Sequence, residues 1–91
     1  METRRCVLRG RVQGVGFRWF VVRSARDLDV RGTVRNGADG SVEVVLQAPD
    51  RESLDRMLDR MRKGPPAARV EDVWIEPIDP ARSYDAMTVL R

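Results

Sequence analysis

Apolar residues along this chain recur with two different spacings, and the changes of spacing mark its elements. From Arg4 to Gly10, Cys6 and Leu8 alternate with Val7 and Arg9, the period of a strand with one buried face. Between residues 17 and 28 the period lengthens. Phe17, Phe20, Val21, Ser24, Ala25 and Leu28 recur at three and four, which predicts a helix with one apolar stripe. Asp27-Leu28-Asp29 ends that helix and starts a turn. Val30, Gly32 and Val34 then alternate with Arg31, Thr33 and Arg35, and Val42, Val44 and Leu46 resume the same period. Between these two runs lies Asn36-Gly37-Ala38-Asp39-Gly40. Asn-Gly and Asp-Gly pairs tolerate positive φ, so a hairpin turn is predicted there.

The second helix has the strongest signals. Asp50 follows Pro49 as an N-cap, and Leu54, Met57, Leu58 and Met61 share one face. Glu52–Arg56 and Asp59–Lys63 are acid-first pairs four residues apart. Gly64, Pro65 and Pro66 stop the helix. "VEDVWI" reads as a further strand and "YDAMTVLR" as a weaker last one. The order is β-α-β-β-α-β. This predicts an α+β fold, a ferredoxin-like βαββαβ sandwich: an antiparallel sheet with two helices on one face, and an optional extra C-terminal strand. No linker, repeat or low-complexity stretch interrupts it, so residues 1–91 are expected to form a single domain. Many unrelated functions occur on such a fold.

Composition narrows the chemistry. Hydrophobic residues make up 42% and charged residues 34%, a globular rather than a disordered balance. No apolar run is long enough to span a membrane, and the N-terminus lacks the apolar segment of a signal peptide. A cytoplasmic protein without a membrane partner is expected. With no histidine in the chain, His-metal sites and Ser-His-Asp triads are excluded. Cys6 is the one cysteine and falls in the alternating strand, so it reads as a buried core thiol. The net charge of +3 invites a nucleic-acid reading, but 17 basic residues, of which only Lys63 is lysine, are interleaved with 14 acids. No nucleic-acid partner is expected.

The segment "GRVQGVGFR", residues 10–18, carries three glycines between a strand and a helix. Backbone of this kind can turn several N–H groups toward one point and form an anion nest, with the helix start adding its own free N–H groups and positive dipole end. The loop does not match a Walker motif or a dinucleotide fingerprint, and Cys6 lies too far upstream for a cysteine phosphatase. Arg18 follows in the first helical turn, where a cation opposes the dipole. Two readings meet there: a surface arginine that tolerates its place, or a guanidinium that meets an anion bidentately. On its own, Asn36 ahead of Gly37 is a turn former.

"GRVQGVGFR", taken with "VRNGADGSVEV" and "KGPPAARVEDV", resembles the acylphosphatase family over nearly the whole chain, roughly residues 4–90. The resemblance implies a small enzyme that hydrolyses the carboxyl-phosphate bond of acyl phosphates to carboxylate and inorganic phosphate. It also implies that neither metal nor cofactor is needed and that the partner is a small-molecule acyl phosphate substrate; a monomer is the default expectation. Position by position, it assigns Arg18 as the phosphate-binding catalytic arginine and Asn36 as the residue that orients the attacking water. Gln13, Gly14, Val15, Gly16 and Phe17 fall in the loop whose amides hold the phosphoryl oxygens. Thr33, Gly37, Ala38 and Met87 depart from the family's usual residues. Those departures bear on affinity, turn rigidity and packing rather than on the reaction.

Overall fold

The computed structural model describes residues 1–79 and 82–91. Its elements are β1 (Glu2–Arg11), α1 (Phe17–Leu28), β2 (Arg31–Asn36), β3 (Val42–Ala48), α2 (Arg51–Lys63), β4 (Arg69–Pro77) and β5 (Met87–Val89). Strand β1 pairs antiparallel with β3 on one side and with β4 on the other. Strand β2 adds antiparallel to β3, which completes the predicted four-stranded ferredoxin-like arrangement. The optional last strand is present as β5. It joins the β2 edge in parallel, giving a mixed sheet of order β4-β1-β3-β2-β5.

The chain leaves β4 at one edge of the sheet and re-enters as β5 at the other. Gln47 holds part of the returning segment: its Nε2 donates to Arg82 O at 2.8 Å, and its Oε1 accepts from Tyr84 N–H at 3.0 Å. A buried amide satisfied at both ends is stable, whereas an unpaired one costs about 1–3 kcal/mol.

The alternation read from the sequence sorts the sheet correctly. Cys6, Leu8, Val34, Val42, Val44 and Leu46 are fully buried, and together with Phe17, Val21, Ala25, Leu54, Met57 and Met61 they form one core. Burying each large side chain contributes about 1.5–3 kcal/mol. The opposite sheet face carries charge. Arg5 and Arg35 both pair with Glu43, and Arg5 also reaches Glu76. Thr33 sits on this side between Val45 and Thr88 and is nonetheless buried. Met87 enters the core cluster.

Both helices begin and end where the periodicity predicts. In α2, Asp50 accepts from Ser53 N–H at 2.8 Å, and Glu52 pairs with Arg56 at 2.7 Å. The expected Asp59–Lys63 pair is corrected: Asp59 faces Arg62 at 3.6 Å. On an exposed helix, residues three and four apart are both neighbours, and so weak a pair follows side-chain rotamer rather than spacing.

Cys6 is the expected core thiol. Burial pushes its pKa up to about 12. The raised value means that the neutral thiol is favoured in the folded state. Its contribution to stability is therefore whole below the ordinary thiol pKa and fades as pH rises toward 12. Iodoacetamide at pH 8 is expected to leave Cys6 unlabelled in the native protein and to label it in urea. Native labelling at the denatured rate would contradict this.

Candidate active site

The connection from β1 to α1 is anchored at both ends, since Val12 is 1% and Phe17 2% exposed. Between them, Gly14 and Gly16 have φ of 74° and 80°. A Cβ at either would meet nothing within 4 Å, so the need for glycine is conformational rather than steric. Val15, between the two, packs partly against the core. The sequence loosens here because the backbone passes twice through the left-handed region before the helix starts.

Gly16 is also the N-cap of α1 and has no side chain with which to cap it. The first bond of the helix is Phe20 N–H to Gly16 O, 3.1 Å. The N–H groups of Phe17, Arg18 and Trp19 find no acceptor among the described residues. No acid stands in the first turn. The start of α2 is the reverse, with Asp50 as cap and Glu52 in the first turn. Two helices of one small domain thus treat the same dipole oppositely, and only α1 leaves its positive end open. Arg18 stands in that open turn, half-buried. Among the described residues no carboxylate lies within ion-pair distance of it.

Asn36 ends β2. It lies opposite Val42 of β3, and Val42 lies opposite Leu8 of β1. Pairing across three strands thus brings the 12–16 loop and the β2–β3 turn to the same end of the sheet. Asn36 is exposed, and its side chain makes no hydrogen bond among the described residues. The predicted hairpin turn follows, and of its two glycine pairs Asp39-Gly40 supplies the positive φ. The left-handed residue is Gly40, with φ of 90°, and Gly37 has no positive φ. Gly37 is small for another reason: a Cβ there would lie 2.6 Å from Ser41 Oγ and 2.8 Å from Asp39 Oδ1. Its N–H donates to Ser41 O at 2.7 Å, and its carbonyl accepts from Gly40 N–H at 3.3 Å.

Asp39 braces this turn. Its Oδ1 accepts from Ser41 Oγ at 2.6 Å and from Ser41 N–H at 3.1 Å, and its Oδ2 accepts from Arg9 at 2.8 Å. The Ser41 hydroxyl, and after it Arg9, hold the carboxyl far below the usual carboxylate range. Asp39 is therefore ionised throughout neutral pH and is not a proton donor there. Among the described residues no group of three or more His, Cys, Asp or Glu could hold a metal ion.

Gln13, expected only as one of the loop amides, has a second part. Its Nε2 donates to Gly37 O and to Ser41 O, both at 2.8 Å. The loop and the turn beside Asn36 are joined through this side chain. The Asp39-Gly40 turn is the one its residue types predict, whereas no local pattern signals the Gln13 contacts. A cleft of about 190 Å³ lies at the other end of α1, beside Asp29 and Met87, and none of residues 12–18 lines it.

The sheet and the open helix start define a class: small ferredoxin-like domains whose first helix begins without a side-chain cap. Within it, the acylphosphatase family model matches residues 4–88. An acylphosphatase of Koribacter versatilis is 51% identical over 88 residues, spanning 97% of this chain and 79% of its own. The crystal structure of acylphosphatase from Bacillus subtilis superposes with a TM-score of 0.94 at 30% identity, covering 100% of both chains. An acylphosphatase structure from Coxiella burnetii gives 0.89 at 32% identity, over 98% of this chain and 92% of the other. The chain belongs to the acylphosphatase family and is a hydrolase acting on acyl phosphates. Among the described residues no helix is long and apolar enough to cross a membrane.

Proposed function

We propose that the 12–17 loop, Arg18 and Asn36 carry the hydrolysis of the carboxyl-phosphate bond. The main-chain N–H groups of Gln13 through Phe17 take the phosphoryl oxygens, and the Arg18 fork closes on two of them. Asn36 accepts a hydrogen bond from water with its side-chain oxygen and holds that water in line with the leaving carboxylate. The water oxygen bonds to phosphorus as the acyl oxygen departs with its electron pair. The water proton ends on the phosphate. A carboxylate is a weak base and leaves without a general acid, so positioning and charge stabilisation suffice. The charge that develops sits on the equatorial oxygens of the phosphoryl group, where these donors converge.

The observation that carries this reading is the uncapped start of α1. Among the described residues, three N–H groups without acceptors, no first-turn acid and an Arg18 without a carboxylate partner are together unfavourable for an empty helix. A dianion placed there reverses the sign of each. The proposal covers a monomeric, cytoplasmic enzyme of one domain, residues 1–91; one apolar core shared by both helices and the sheet supports the single domain. The deciding assay is release of phosphate from benzoyl phosphate in the presence of EDTA. Rapid turnover, unchanged by the chelator and competitively inhibited by inorganic phosphate, is expected. Absence of turnover, or its loss on chelation, would overturn the reading.

A further inference from the structure

The geometry points to Gln13 as a positioning residue, whose side-chain amide sets the Asn36 turn against the phosphate loop. This inference rests on the roles proposed above for the loop and for Asn36. The Gln13 carboxamide nitrogen has two hydrogens, and both are used, at 2.8 Å to Gly37 O and 2.8 Å to Ser41 O. These two carbonyls flank the mouth of the turn. Gly37, directly after Asn36, is held at its N–H by Ser41 O and at its C=O by Gln13. A Cβ added at Gly37 would lie 2.6 Å from Ser41 Oγ and 2.8 Å from Asp39 Oδ1, so little space is left beside it.

A second tie reaches the same turn from β1, the Arg9–Asp39 pair, but both of its side chains are more than half exposed. Such pairs are weak and are screened by salt. Gln13 is neutral and half-buried, so its link persists at any ionic strength. Asn36 itself has no side-chain partner among the described residues to hold it. Its position relative to the loop is inherited from the backbone of the turn, and Gln13 is the half-buried side chain that joins that backbone to the loop.

The test uses Gln13→Ala and Gln13→Met, the latter keeping length and apolar stem while removing both donors. With benzoyl phosphate as substrate, kcat is expected to fall about 10- to 100-fold, the scale of a misplacement of about 1 Å. The inhibition constant for inorganic phosphate should stay within about twofold, since either substitution keeps the main-chain N–H at position 13 and leaves Arg18 in place. In an Asn36→Ala background the added Gln13→Ala should change the residual kcat less than about twofold, because residues acting through one another are not additive. Multiplicative losses in the double variant, or a parallel loss of kcat and phosphate affinity, would overturn the inference. So would wild-type kcat in both single variants, or loss of the native fold in both, which would mark a structural staple only. Retained turnover in Asn36→Ala alone would instead sink the catalytic reading beneath it, and this inference with it.

Discussion

Arg18→Lys lowers kcat/KM for benzoyl phosphate by about 100-fold, and Arg18→Ala by about 1,000-fold or more, the range spanned by loss of one preorganised donor and loss of an arginine that neutralises transferring phosphoryl charge. Lysine keeps the charge but replaces a planar fork by a point, so it cannot meet two oxygens at once. The alanine variant also weakens inhibition by inorganic phosphate, since the cradle then offers only main-chain N–H groups. Stability moves the other way. Without a ligand, Arg18 opposes the α1 dipole and has no carboxylate partner among the described residues. Its removal should leave the melting temperature unchanged or slightly raised, by an effect of about 0.3–1 kcal/mol. Unaltered phosphate inhibition in Arg18→Ala would show that the guanidinium does not grip the substrate.

Asn36→Ala is the second large effect, and it divides binding from chemistry. Turnover should fall by at least about 100-fold, as expected when a reactant is no longer held in line. The inhibition constant for phosphate should scarcely move. Asn36 is exposed and makes no side-chain hydrogen bond among the described residues, so the fold should lose no more than about 0.5 kcal/mol. A role as turn former predicts the reverse: stability lost and chemistry kept. The turn weakens that alternative, because its left-handed residue is Gly40, and Asn36 stays within β2. Near-normal turnover in the alanine variant would remove Asn36 from the reaction.

The two helices were legible to the residue because their signals are local. A period near 3.6, an Asp50 cap and the Gly64-Pro65-Pro66 stop all act within one or two turns of chain. The unusual character of the 10–18 segment was equally local, since glycines between a strand and a helix, followed by Arg18, imply an open helix start without reference to anything distant. The turn over Asn36–Gly40 was legible for the same reason: Asp39-Gly40 supplies its left-handed residue, while Gly37 has no positive φ and lies where Asp39 and Ser41 fill the space beside it. Asp59 was matched with Lys63 by spacing, and its rotamer chose Arg62.

The sequence by itself determined the elements, their amphipathic faces, the burial of Cys6 and a helix start with no cap, because each follows from residue type and from neighbours within a few positions. Only the tertiary structure decided that β5 runs parallel beside β2, that the loop and the Asn36 turn share one end of the sheet, and that Gln13 bridges them. Those facts depend on strand order and on groups 24 and 28 residues apart in the chain. No periodicity records such pairings, since they form only once burial of a common core has fixed which strands lie side by side.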